Sequence, residues 1–427
     1  MAFYAGRRGG GTAIPSREMT SRKFHDGRHD GLQPLESLDL DRVSSFADLL
    51  RAMSRTAFSG RSLGEAFEVL LAMVEDPDCK VVMTLSGAMT IAKMGKVISK
   101  MIDTGMVQAI VSTGALMAHG LSEAIGMVHY RHDPRMSDEE LFDKGYNRVY
   151  DTLEMEANLN YVEEFSRKAL DALGDQLLSS EIVCRALGRV LAEDTQGSGV
   201  LRSAYEKGVP VFVPAFTDSE LGLDVSTWAM KRAQAAGEVH DPIDLFSALP
   251  RYNPYLDLNS FARFALGAKR LGIFTIGGGV PRNWAQEVGP YFDITNHRLG
   301  TELRPPRYQY AVRICPEPTH WGGLSGCTYS EGVSWGKFVP ESEGGRFAEV
   351  YADATTVWPL LVKAVLEERE KGHARDAQPD RAARPRPVAI ARGRLEEAHG
   401  PQSAPVGASA SRTASGRPRK VKAKPRP

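Results

Sequence analysis

The chain has 427 residues, 42% of them apolar and 25% charged, with 53 Lys/Arg balanced by 53 Asp/Glu. That composition is ordinary for a soluble globular protein and long enough for one large α/β domain or two smaller ones, and no apolar run approaches the roughly 20 residues of a membrane span. Cys79, Cys184, Cys315 and Cys327 are scattered with no CxxC pair, which argues against zinc and a disulfide framework, leaves no metal site expected, and points to a reducing cytoplasm.

Residues 1–35 carry many Gly, Arg and His without periodicity and are expected to form a flexible arm. The chain start has no apolar core followed by a small-residue cleavage site, so no signal peptide is expected. An α/β domain is expected over residues 36–370. Ser62-Leu63-Gly64-Glu65 is a capping-box pattern that predicts the start of an apolar helix running toward Val74. Val81–Leu85 predicts a buried strand, Ser86-Gly87-Ala88 the turn after it, and Thr90–Asp103 a helix. The methionines from Met89 to Met101 fall at helical spacing and read as core. Val107–Val111 is the next predicted strand, followed by Ser112-Thr113-Gly114-Ala115 and another helix.

The unit recurs. Val209–Phe216 predicts a strand ending in Thr217-Asp218-Ser219. Leu271–Ile276 predicts one ending in Gly277-Gly278-Gly279, and Tyr308–Ile314 another. The segment from Val333 leads to Tyr351-Ala352-Asp353-Ala354, and a final helix is predicted from about Thr355 to Glu370. Strand, small-residue turn, helix, strand is the pattern of a Rossmann-like, doubly wound, mostly parallel sheet flanked by helices. From residue 371 on, 14 Lys/Arg face 4 Asp/Glu, which leaves the rest of the chain at −10. This basic tail, rich in Ala, Pro, Gly and Ser, is expected to be a disordered, solvated appendage rather than a nucleic-acid-binding arm.

The strand-end turns form a set. Those at Ser86, at Thr113-Gly114-Ala115 and at Gly278-Gly279 lack bulky side chains where a helix begins, so backbone N–H groups there can approach a phosphate. Asp218 and Asp353 can accept hydrogen bonds from ribose hydroxyls. The set fits a dinucleotide, although glycine at a tight strand–helix turn also has a purely structural explanation.

A second cluster is Glu331-Gly332-Val333-Ser334-Trp335-Gly336-Lys337. A lysine amine forms Schiff bases with carbonyl or imine carbons, an indole face holds a cationic amine, and a carboxylate anchors its charge. Together they point to chemistry on a polyamine, and the acidic body suits a cationic substrate.

With these segments in place, the chain resembles deoxyhypusine synthases over roughly Glu36–Glu370. The likeness is densest from Tyr310 to the Val333-Ser334-Trp335-Gly336-Lys337 run, and extends to Met106–Thr113, Pro214–Asp218, Gly277–Gly279 and Tyr351–Leu361. The resemblance implies an NAD-dependent aminobutyl transferase of Rossmann-like fold, a homotetramer with sites shared between subunits. It implies a polyamine donor such as spermidine, a lysine imine intermediate, and a protein lysine or a small amine as acceptor. A homospermidine-type synthase and an inactive NAD-binding paralogue are the alternatives.

By resemblance Lys337 would form the imine, Trp335 would flank the amine and Glu331 would neutralise one of its charges. Ser86, Thr113, Gly114, Ala115, Asp218, Gly278, Gly279, Gly322, Ser325, Asp353 and Ala354 fall where the family contacts NAD. Asn283 and Glu287 take substrate-binding positions, in place of a family His and Asn. An amine-site Asp corresponds to Leu324, another to Leu223 with Asp224 one place on, and the paired family glutamates to Ala118 and His119. Asp224, Glu287 and Glu317 are candidates to compensate. His119 is a candidate general base, although a histidine near a helix start is more often structural. His320 and Trp321 are expected to shape the pocket, and Cys315 and Cys327 to act as small buried fillers.

Overall fold

The main sheet is built from strands that are apolar on both faces. In chain order the strands are β1 (Cys79–Leu85), β2 (Ala109–Ser112), β3 (Tyr130–Arg131), β4 (Tyr146–Val149), β5 (Thr152–Met155), β6 (Val211–Phe212), β7 (Arg270–Ile276), β8 (Tyr308–Ile314) and β9 (Arg346–Val350). This computed structural model describes residues 24–376; the first 23 residues of the expected arm and the expected tail from 377 onward lie outside the described residues. Among the described residues no helix is long and apolar enough to cross a membrane.

Six strands pair in the order β6-β2-β1-β7-β8-β9, and every pairing is parallel. The chain runs outward from β1 to one edge, then returns beside β1 at β7 and runs to the other edge. The order therefore reverses between β1 and β7, the doubly wound arrangement. Val81, Met83 and Leu85 enter one core and Val82 the other. The same alternation divides Phe274 and Ile276 from Leu271 and Ile273. A parallel sheet covered by helices on both faces requires this, because neither face meets water. The strands β3, β5 and β4 form a separate antiparallel sheet.

Several predicted boundaries move, each for a local reason. The helix expected to begin at Ser62 spans Phe58–Glu75, and no side chain caps it. Its Gly64 lies against the helix Phe46–Ser54, where a Cβ would come within 2.3 Å of the Ser54 nitrogen. The helix expected over Thr90–Asp103 begins at Gly95. Residues before it form a turn ending at Lys93 with φ +64°, while Thr90 donates its hydroxyl to the Leu116 carbonyl at 2.7 Å. The strand expected over Val209–Phe216 pairs only at Val211–Phe212. Pro214 has no N–H to donate, and the Val213 N–H goes to the Ser180 hydroxyl at 2.7 Å. The final helix runs Ala354–Asp376, past its expected end.

Candidate active site

Because all six strands of the main sheet point the same way, their carboxyl ends share one edge. That edge gathers Ser86 after β1, Thr113-Gly114-Ala115 after β2, Asp218 after β6, Gly278-Gly279 after β7, Gly322 and Ser325 after β8, and Asp353-Ala354 after β9. The tightest part is the reversal point between β1 and β7. There the Ser86 hydroxyl accepts the Gly278 N–H at 2.7 Å and donates to the Ile276 carbonyl at 3.1 Å. A Cβ on Gly278 would lie 2.5 Å from Ser325 Cα, so the loop after β8 closes directly over this glycine. Gly279 and Gly322, at φ +64° and +73°, have no neighbour within 4 Å of where a Cβ would point. Gly279 leaves an open, backbone-lined cradle at the start of the helix Gly279–Gln286, and Gly322 leaves open space on the loop after β8.

The flanks are arranged differently. Thr113 donates its hydroxyl to the Gly87 carbonyl at 3.1 Å, joining the β1 and β2 turns. Gly114 abuts Ser219, whose hydroxyl would lie 2.1 Å from a Cβ there. Asp218 is exposed. Asp353 accepts the Thr355 N–H at 2.9 Å and caps the last helix. Asp218 and Asp353 follow the two edge strands, five inter-strand steps or about 24 Å apart along the sheet.

Lys337 occupies a second locus. Its carbonyl accepts the Tyr308 N–H at 3.0 Å, and Val339 N–H donates to the Tyr308 carbonyl at 2.9 Å, which ties the segment to the start of β8. The residue is buried, at 6% exposure. Its ammonium donates to Asn283 Oδ1 at 3.0 Å and to Glu287 Oε1 at 2.8 Å. Its nitrogen lies 5.8 Å from the Trp335 ring centroid, within cation–π range. Asn283 and Glu287 are one turn apart, so they present one face. The helix that begins in the glycine cradle carries them, and Gly279 to Glu287 spans about 12 Å at 1.5 Å per residue. Gly336 at φ +71° and Gly332, where a Cβ would meet the Phe338 ring at 2.6 Å, shape the turn that delivers Lys337.

The structure pairs Lys337 with Glu287. Glu331 is exposed and makes no bond to Lys337, and its backbone N–H is capped by Thr328. Of the three compensating acids, only Glu287 reaches Lys337. Asp224 turns inward, 4% exposed, while its neighbour Leu223 faces outward. Burial, followed by the nearby carboxylates of Glu220 and Glu163, pushes the Asp224 carboxyl up to about 7. Glu317 packs on Gly323, filling the space where a side chain at that position would start. His119 is engaged with Glu154, not with Lys337. His320 and Trp321 are exposed on the loop after β8. Cys315 is buried as expected, but Cys327 is only half-buried.

The sequence reading missed the loop's anchors. Arg313, 1% exposed, donates to the Cys327 carbonyl at 3.1 Å and to Glu349 Oε2 at 2.5 Å. Arg282, 2% exposed, donates to the same carbonyl at 2.7 Å. Glu349 also accepts the Tyr329 N–H at 3.0 Å. An arginine inside the otherwise apolar Ala311–Ile314 run was the available signal, since a buried charge needs a partner.

A family model described as deoxyhypusine synthase matches residues 48–365. A Methanosarcina mazei protein named "Probable deoxyhypusine synthase 2" is 33% identical over 338 residues, covering 78% of this chain and 90% of that protein. One of the same name from Archaeoglobus fulgidus is 31% identical over 319 residues, covering 75% and 97%. The "Deoxyhypusine synthase-like protein" of Elusimicrobium minutum is 31% identical over 338 residues, covering 78% and 84%.

Proposed function

The chain belongs to the deoxyhypusine synthase family, and from that premise we propose that it is an NAD-dependent transferase moving an aminobutyl group from a polyamine to an amine through an imine on Lys337. The observation that carries this reading is the buried Lys337 ammonium held between Asn283 and Glu287. Burial excludes water from a hydrolysable imine, and the adjacent carboxylate gives the ammonium proton a place to go before the amine attacks.

The open cradle at Gly279 fits the phosphates of NAD, with Ser86 and Ser325 beside it. Bound there, NAD would supply the hydride acceptor for the donor amine and the hydride source for the product. The Lys337 nitrogen attacks the oxidised donor's imine carbon, the bond to the departing diamine breaks, and the aminobutyl group is held as a lysine imine. The acceptor amine then attacks that carbon and releases Lys337. Trp335 offers its face to the cationic end of the chain.

The acceptor is a protein lysine or a small amine. The small-amine reading is favoured by Leu324 at a family acid position and by Glu287 beside Lys337, which together alter the charge pattern around the donor. A homotetramer with shared sites accords with Trp335 and Trp321, which are 63% and 71% exposed in the single chain. A cytoplasmic setting accords with four free cysteines. The test is incubation with NAD and a panel of amines, borohydride trapping, and peptide mass spectrometry. An aminobutyl adduct on Lys337 is expected; absence of any adduct or product across the panel overturns the reading.

A further inference from the structure

Away from the Lys337 locus, three chain-distant side chains converge in the interior. His119 lies on the helix Gly114–Ala124, His129 just before β3, and Glu154 on β5. One ligand atom from each lies within 4.8 Å of the others. His119 Nδ1 meets Glu154 Oε2, and His129 Nε2 lies 3.3 Å from Glu154 Oε1. The side chains of His129 and Glu154 are 0% and 1% exposed. Even so, His129 Nε2 and Glu154 Oε1 have no hydrogen-bond partner among the described residues.

Two buried, unpartnered polar atoms facing each other are costly unless something satisfies both. Donors about 2.1 Å from a tetrahedral zinc lie about 3.4 Å apart, close to the 3.3 Å between His129 Nε2 and Glu154 Oε1. We propose that His119, His129 and Glu154 form a binding site for a divalent transition metal of the zinc type. Two imidazoles with one carboxylate favour zinc, iron, cobalt or nickel over magnesium and calcium, which prefer all-oxygen shells. The partial exposure of His119, 19%, provides the entry path and leaves room for a water ligand.

Lys93 competes with the metal. Its ammonium lies 2.7 Å from His129 Nδ1 and 3.7 Å from Glu123 Oε1. While the ammonium donates to Nδ1, the ring proton sits on Nε2. Metal binding moves that proton to Nδ1 and sends any imidazolium proton on His119 to solvent. Lys93, 46% exposed, then turns to Glu123. The bound metal joins the small antiparallel sheet to the helix after β2.

The test uses the full-length, chelator-stripped protein without an affinity tag, titrated with zinc alone by calorimetry and with cobalt by visible absorption. One equivalent per chain, with the cobalt bands of nitrogen and oxygen ligands, is expected. His129→Ala and Glu154→Gln weaken binding by more than about a hundredfold while the wild type gains thermal stability with zinc. Should those variants fail to fold, Lys93→Met decides, because it removes the competing ammonium at a half-exposed position and tightens binding about tenfold. Wild-type binding well below one equivalent overturns the proposal, as does unaltered binding by the folded His129 or Glu154 variants, or unchanged or weaker binding by Lys93→Met.

Discussion

Lys337 and Glu287, separated by 50 residues in sequence, form a 2.8 Å ion pair with the lysine side chain 7% and the glutamate 44% exposed. The lysine is enclosed and the carboxylate is reachable. Glu287 is therefore placed both to hold the ammonium and to pass its proton outward.

Lys337→Ala should abolish transfer while NAD binding, followed by cofactor fluorescence or calorimetry, stays within a few-fold of wild type. Glu287→Gln keeps the shape and loses the proton acceptor. It should lower kcat by about a hundredfold, the scale of general-base contributions. Equal turnover by Lys337→Ala would sink the covalent mechanism, and equal turnover by Glu287→Gln would remove Glu287 as the proton acceptor.

Gly278→Ala tests the cofactor cradle. Its new methyl would lie 2.5 Å from the Ser325 Cα, which is backbone and cannot rotate away. The loop after β8 must shift, at a cost of about 1–3 kcal/mol. NAD affinity should fall more than tenfold with far-ultraviolet circular dichroism unchanged. Retained affinity would separate the cradle from the cofactor.

Arg313→Met leaves Glu349 without its buried cation and the Cys327 carbonyl with one donor fewer. Breaking a buried pair on one side costs about 3–5 kcal/mol. A drop of that size in the urea unfolding free energy is expected, together with lost transfer activity. A loss below about 1 kcal/mol would show that the loop is held by other contacts.

Asp224 supplies a pH dependence of stability. Its carboxyl sits at about 7 in the folded chain against 3.8 as the ordinary value, mainly because of burial. Between those pH values the folded chain keeps a proton that the unfolded chain has lost. Stability from this group is therefore present below about pH 4, falls as pH rises toward 7, and is flat above. Asp224→Asn removes the penalty, so the variant should exceed wild type in Tm at pH 8 and converge with it at pH 4. The difference in free energy is on the order of a few kcal/mol. Parallel Tm profiles for the two proteins would contradict this.

Much of the architecture is legible in local pattern. The apolar runs at Val81–Leu85 and Leu271–Ile276, followed by Ser86 and Gly277–Gly279, identify buried parallel strands with open carboxyl ends. A strand covered on both faces is apolar at most positions, and a buried polar side chain there needs a partner, as Thr84 and Thr275 find in each other at 2.9 Å. The boundary errors are also physical. Pro214 limits the β6 ladder, and the turn at Lys93 delays a helix that periodicity alone would begin at Thr90.

The sequence by itself determined the fold class, the strand-end turns, and Lys337 with Trp335 as a local pair. Only the tertiary structure decided which acid serves the lysine. Glu331 is six residues away in sequence but points to solvent, whereas Glu287 arrives on the helix that starts at the cofactor cradle. It also decided that Asp224 is buried beside an exposed Leu223, and that His119 meets Glu154 rather than Lys337. Spacing along one element fixes which face a side chain occupies. Which other element lies against that face is set by the packing of the whole sheet and its helices, and no short segment encodes it.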